Sequence, residues 1–262
     1  MADELLYAKD GPIATLTLNR PERMNAISGP MLSALAQRLV EANEDRDVRV
    51  VIITGAGRGF CAGLDLGDAS SGGGIGGGGP MPATLDLRSA PPTVLHSLDK
   101  PVIAALNGGA AGYGMDLALG CDIRIAARRA KLAAAFTKRG VLPESGGTWL
   151  LPRLVGWSKA AEIIFTGRTL DSQQCLELGL VSQVVDDDAL PAAARALANE
   201  IAANAPLAVQ GAKRMMRMAL SEPFDAHVHH VYLQLLPLFQ SADFKEGVRS
   251  FLEKRDPKFQ GR

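Results

Sequence analysis

The sequence predicts a mixed α/β fold, on three observations. Two continuous apolar runs, 48–54 (Val-Arg-Val-Val-Ile-Ile-Thr) and 102–106 (Val-Ile-Ala-Ala-Leu), have the length and β-branched content of strands covered on both faces. Each run ends in a glycine-rich turn, and the second turn leads into a short apolar helix. Near residue 188 strands cease and helical periodicity takes over, which predicts a core over 1–187 and a helical module over 188–262.

Taken in order, Leu5–Lys9 and Ile13–Asn19 alternate with a period of two around Asp10-Gly11, the pattern of a hairpin. A loop with two cations, Arg20 and Arg23, follows. Ser28 is placed to cap a helix running to about Glu44, with Pro30 in its first turn and Leu32, Leu35, Leu39 and Val40 as its apolar stripe. The glycine run within 67–82 has too little apolar surface to order itself, and no Gly-Lys-[Ser/Thr] makes it a phosphate cradle. A short helix over Thr93–Leu98 precedes the buried strand 102–106. Gly108, Gly109, Gly112 and Gly114 then allow a sharp turn and close approach of a ligand, because no Cβ intervenes.

Helix 114–120 points its N-terminus at that turn, so free N–H groups and the positive end of the dipole converge where negative charge can be held. With the turn after 48–54, two strand ends offer one backbone donor apiece to a shared oxygen. Glycines that only punctuate strand ends would look the same. Further strands are expected at Ile123–Ala127 and Lys131–Phe136. The loop 137–146 then opens into a helix, with Glu144 beside Pro143 on a rigid turn, placed either to cap that helix or to move protons. Asp171 to Gln174 read as a capping box, Gly179 as a helix stop and Val181–Val185 as the last strand. Four amphipathic helices complete the chain at 190–204, 206–220, 224–239 and 242–255. His227, His229 and His230 do not share one helix face, so no metal site is expected.

Composition narrows the function. Lys plus Arg and Asp plus Glu are both 28 in 262 residues, which argues against nucleic acid or an anionic membrane as partner. No apolar run reaches the roughly 18 residues of a membrane span, and the acidic start Met1-Ala2-Asp3-Glu4 is unlike an export signal. Cys61, Cys121 and Cys175 lack metal-ligand spacing and read as buried thiols of a reducing compartment, so a soluble cytoplasmic protein is expected. A dinucleotide fingerprint fails, because its third glycine positions hold Phe60 and Leu117, and no G-x-S-x-G marks a serine hydrolase.

The run Phe60-Cys61-Ala62-Gly63-Leu64-Asp65-Leu66 resembles the F-x-[AS]-G-x-D-[LI] motif of the crotonase (enoyl-CoA hydratase/isomerase) superfamily, and Asn107–Arg124 is similar to its second signature. The resemblance extends from Asn19-Arg20-Pro21 to the Phe259–Arg262 tail. It implies a ClpP-like spiral of ββα units with a C-terminal helical trimerisation module, assembled as a homotrimer or a dimer of trimers. It also implies an acyl-CoA thioester substrate, with coenzyme A as part of the substrate and no separate cofactor.

By motif position the resemblance assigns the oxyanion donors to the Ala62 and Tyr113 N–H groups, and proton transfer to Glu144 and Asp116. Contacts to the substrate and its coenzyme A are expected from Arg23, Met24, Ala26, Gly63, Leu64, Asp65, Leu66, Gly109, Gly112, Phe136 and, through a neighbouring subunit, Lys254. In an apolar pocket the Glu144 pKa should rise. The glycine run that follows Ala62 would form a flap over the acyl pocket. Hydratases of this family work water between two glutamates, and here those positions hold Asp116 and Phe136, so a double-bond isomerase using Glu144 is expected first. The run from Leu142 to Gly156 also resembles ring-epoxide and oxepin isomerases. The alternatives are a hydratase adding water to trans-2-enoyl-CoA in fatty-acid β-oxidation, and a non-catalytic acyl-CoA or RNA-binding protein on the same scaffold.

Overall fold

A computed structural model describes residues 3–65 and 90–262. The glycine run of 67–82, and with it the expected flap, lies outside the described residues, as does Leu66.

The larger sheet holds β1 (Leu5–Asp10), β2 (Ile13–Leu18), β3 (Val50–Gly55), β5 (Val102–Leu106), β7 (Ile123–Ala127) and β10 (Gln183–Val185) in that order. β1 and β2 form the expected antiparallel hairpin, and every later neighbour is parallel. A second sheet is built from three-residue strands, β4 (Gly59–Cys61), β6 (Gly109–Ala111), β8 (Lys131–Ala133) and β9 (Thr169–Asp171). Each long parallel strand from β3 to β7 therefore feeds a short strand in the other sheet. The strand expected over Lys131–Phe136 stops at Ala133, which leaves Phe136 in the loop beyond it.

Continuous apolar strands have two covered faces here. Val51 and Ile53 of β3 join a core cluster with α1 (Gly29–Glu44), whose Met31, Leu35 and Leu39 are fully buried. Val50 and Ile52 face the other way, onto α7 (Leu190–Ala202), whose Leu190, Ala194, Ala198 and Ala202 recur every four residues. The change of pattern at 188 thus marks the start of continuous helix, and the first of those helices packs directly on the sheet. Ser28 caps α1 as expected, its Oγ accepting from the Met31 N–H at 3.1 Å. Asp171 and Gln174 form the expected capping box on α6 (Ser172–Glu177).

Between these lie α2 (Pro91–Ser97), α3 (Tyr113–Gly120), α4 (Gly147–Val155) and α5 (Trp157–Thr166); α8 (Pro206–Met218), α9 (Phe224–Gln240) and α10 (Ala242–Glu253) end the chain. The buried Arg124 guanidinium donates to the carbonyls of Cys121 and Leu180, so a cation sits at the C-terminal end of α3 where the helix dipole favours it. Among the described residues no helix is long and apolar enough to cross a membrane.

Candidate active site

Two short strands organise the site. β4 and β6 are parallel neighbours, with Cys61 opposite Ala110, so the chain leaves both at the same end, about 4.8 Å apart. From β4 it runs through Ala62-Gly63-Leu64. Gly63 has φ +106°, and a Cβ there would lie 3.0 Å from the Ala111 carbonyl oxygen and 3.7 Å from the Tyr113 nitrogen. From β6 the chain passes Gly112, at φ +52°, and Tyr113 then begins α3. A Cβ on Gly114 would sit 2.2 Å from the Cys61 carbonyl oxygen, so only glycine lets the start of α3 rest against the end of β4.

The backbone donors can be assigned from their hydrogen bonds. The Tyr113 N–H opens a helix, where no intrahelical acceptor exists, and it makes no hydrogen bond among the described residues. The Ala62 N–H, expected to be its partner, instead donates to the Met24 carbonyl at 3.0 Å. Leu64 lies two residues further along the turn. It forms a parallel bridge with Ile27, in which the Ile27 N–H donates to the Gly63 oxygen at 2.8 Å and the Ile27 oxygen accepts from the Asp65 N–H at 2.9 Å. Such a bridge uses the peptides flanking Leu64 and turns the Leu64 N–H to the opposite side. The positive φ at Gly63 is what separates the directions of the two N–H groups, a feature that a motif position does not encode.

The two candidate acids differ in setting. Asp116, in the first turn of α3, is 2% exposed. Its Oδ2 accepts from the Gly147 N–H at 3.1 Å and the Ser145 N–H at 3.3 Å. It thereby ties α3 to the turn carrying Glu144 and to the N-terminus of α4. A Cβ on Gly147 would fall 2.2 Å from Asp116 Oδ1, so this approach also needs glycine. Burial pushes the Asp116 carboxyl up to about 7, assisted by the charge of nearby Glu144 and opposed by the two N–H donors. Glu144 itself is exposed and does not cap α4, whose N-cap is Gly146. The desolvation expected at Glu144 therefore falls on Asp116.

Two cavities meet here. One, of about 340 Å³, is walled by Leu95, His96, Leu117, Trp149 and Leu150 together with Tyr113, Asp116 and Glu144. The other, of about 380 Å³, holds Arg23, Ala26, Ala62, Gly63, Leu64, Asp65, Gly112 and Phe136 of the expected set, again with Tyr113 and Glu144. Those two shared residues make the cavities two sides of one site. The Phe136 ring is buried, and a Cβ on Gly112 would stand 3.9 Å from its edge. The Cys61 thiol behind them is pushed up to about 12 by burial and stays neutral.

Two expected contacts are placed elsewhere. Gly109 is paired inside β6 with Gly59 and Lys131. Met24 lines neither cavity; its role is to hold Ala62 through its carbonyl, in a left-handed conformation at φ +53°. Lys254 ends α10 and lines neither cavity of its own chain. Sequence reasoning passed over His96 and Arg139, which line the cavities, and Asn25. Fully buried, Asn25 accepts from the Arg20 N–H and donates to the Ala56 and Gly59 carbonyls, shaping the early loop around the β4 turn. The available signal was the residue type, an asparagine in a loop, which tolerates the left-handed backbone that Asn25 adopts.

Comparison with known proteins shows the family. The family model described as Enoyl-CoA hydratase/isomerase matches residues 8–262. The chain belongs to the enoyl-CoA hydratase/isomerase family. It is an acyl-CoA enzyme of that family, with the crotonase fold. It is 41% identical over 271 residues to 1,2-epoxyphenylacetyl-CoA isomerase of Escherichia coli, covering all of both chains. It is 36% identical to (E)-benzylidenesuccinyl-CoA hydratase of Thauera aromatica, over 95% of this chain and 96% of the relative. Among solved structures, an enoyl-CoA hydratase from Mycobacterium marinum superposes with a TM-score of 0.91 at 33% identity, over 99% of each chain.

Proposed function

We propose that this family member isomerises an enoyl-CoA thioester by moving its double bond from the 3 to the 2 position. The observation that carries the reading is the pairing of Glu144, on the wall common to both cavities, with the Phe136 ring where a second water-activating acid would stand. The Glu144 carboxylate takes a proton from C2 of the 3-enoyl group. The electron pair moves onto the thioester oxygen, held by the Leu64 and Tyr113 N–H groups, each contributing about 3 kcal/mol. The same carboxyl then returns the proton at C4, and the double bond ends between C2 and C3. Asp116 holds the Glu144 turn in place through its two N–H contacts.

A second reading, addition of water to a 2-enoyl-CoA, is favoured by one observation: a second carboxyl, Asp116, keeps its proton to about pH 7 beside Glu144. Incubating purified protein with 3-enoyl-CoA and with 2-enoyl-CoA in deuterated buffer separates the two. Conversion of the 3-enoyl form without water uptake, with the C2 hydrogen carried to C4, supports isomerisation; a 3-hydroxyacyl-CoA product from the 2-enoyl form replaces it with hydration.

The chemistry as proposed calls on no metal or redox group. A homotrimer or dimer of trimers is supported by the exposed apolar residues of α9 and α10, among them Phe224, Tyr232, Phe251 and Leu252. In such an assembly Lys254 would reach a neighbour's coenzyme A, and Arg23 that of its own chain. The free, buried Cys61, Cys121 and Cys175 support a cytoplasmic location.

A further inference from the structure

Tyr113 carries a second polar group besides its backbone N–H, and no described residue satisfies it. Its phenol oxygen is buried and is the one side-chain nitrogen or oxygen, among the described residues, that is buried without a hydrogen-bond partner. The residue as a whole is 3% exposed. Buried hydroxyls are nearly always bonded, so an orphaned one at a binding site points to a partner that arrives from outside.

Position says what that partner is. Tyr113 is the first residue of α3, and helical side chains lean toward the N-terminus, so its ring stands on the side where the substrate is expected. Tyr113 lines both cavities. Burial, with the neighbouring Cys61, Glu144 and Asp116, raises the phenol pKa, so the group is present as a neutral O–H donor. Leu95, Leu117 and Leu150 of the adjoining wall offer no side-chain acceptor, and neither of the nearby carboxyls, Asp116 and Glu144, bonds the phenol. The thioester oxygen is the object of the backbone donors.

We infer that the Tyr113 hydroxyl binds an oxygen on the acyl chain, so that the substrates are acyl-CoA thioesters carrying a hydroxyl, oxo or epoxide oxygen beyond the thioester, in preference to plain hydrocarbon chains. This rests on the acyl-CoA reading of the site but not on isomerisation. An unsubstituted chain fills the cavity and strands the phenol, and a site built to hydrogen-bond its ligand discriminates strongly against the analogue that lacks the bond. Tyr113 is in this sense a specificity-determining residue.

The test is equilibrium binding by calorimetry of hexanoyl-CoA and of the four hexanoyl-CoAs with a hydroxyl at C3, C4, C5 or C6, to the wild type and to Y113F. The variant removes one oxygen and keeps the backbone donor. Expected is a gain of roughly tenfold in affinity over hexanoyl-CoA at one hydroxyl position in the wild type, abolished in Y113F. The readout is a ratio between two ligands on the same protein, so a general weakening cancels. A gain at no position, or one that persists in Y113F, overturns the inference. Absence of binding by all five ligands removes the acyl-CoA reading and the inference with it, whereas binding with the expected gain but no turnover of an oxygenated 3-enoyl-CoA overturns isomerisation alone. Melting of the free proteins gives a second check: losing an unpaired buried hydroxyl should leave Y113F at least as stable as the wild type, and a clear fall would reveal an internal partner and overturn the assignment.

Discussion

Asp116 and Glu144 belong to one site, yet one is sealed in and the other open, and the burial of Asp116 governs how that group responds to pH. Asp116 is raised from 3.8 to about 7. Between about pH 4 and 7 the folded chain keeps a proton that the unfolded chain has released. This group therefore favours the folded state fully below pH 4, and the benefit is lost as pH rises through 7. The difference across that window is on the order of 4 kcal/mol at most. D116N, which can still accept the Ser145 and Gly147 N–H groups, should gain stability over the wild type at pH 8 and little at pH 4, as measured by urea unfolding at both values. Glu144 calls for a kinetic test. E144Q should lower isomerase kcat by about 10²- to 10⁴-fold while acyl-CoA still binds. Full activity in that variant would remove Glu144 from the mechanism. Both acids were legible in the sequence because each sits in a motif. Their exposure was not, because it depends on which elements pack over each carboxyl.

At the scale of elements, the site depends on how closely α3 approaches β4. Gly114 permits that approach, and the atom a Cβ would strike is the Cys61 backbone oxygen, which no side-chain rotation can move aside. G114A should therefore shift the start of α3 and misdirect the Tyr113 N–H. We expect a fall in kcat of about 10²-fold or more, with a loss of about 1–3 kcal/mol in stability. Activity and denaturant midpoint, measured on the same preparation, check both. The long strands and most helices were readable from periodicity, and Ser28 and Asp171 from their capping patterns. β4 and β6 were read as turns. Three residues containing glycine give too short a pattern to show a period, and they become strands only by pairing with each other and with β8. For the same reason the motif does not show that the Ala62 N–H is bonded to Met24 while Leu64 bridges Ile27: the peptide directions on either side of Gly63 follow from that bridge to a distant segment, which no local rule supplies.

For the molecule as a whole, one face of the large sheet is closed by α7 and the other by α1 and its neighbours, while no residue of α9 is buried. Tyr232, Leu233 and Leu236 stand about half exposed or more on that helix, an arrangement that suits contact with further copies of the chain. Replacing Tyr232 and Leu236 by Asp should reduce the mass seen by light scattering from that of a trimer or hexamer to that of one chain, with activity falling if a neighbour completes the coenzyme A site. A wild type that already runs as a single chain would sink the assembly. What the sequence determined by itself was local: apolar periods that set strands and helices, caps that end them, and two motifs that name the family. The tertiary structure alone decided which of these backbone N–H groups already has an acceptor, which acid is desolvated, and that no described residue bonds the Tyr113 hydroxyl. Each of these is set by distances between segments far apart in the chain, and a hydrogen bond or a buried charge has no energy until those segments meet.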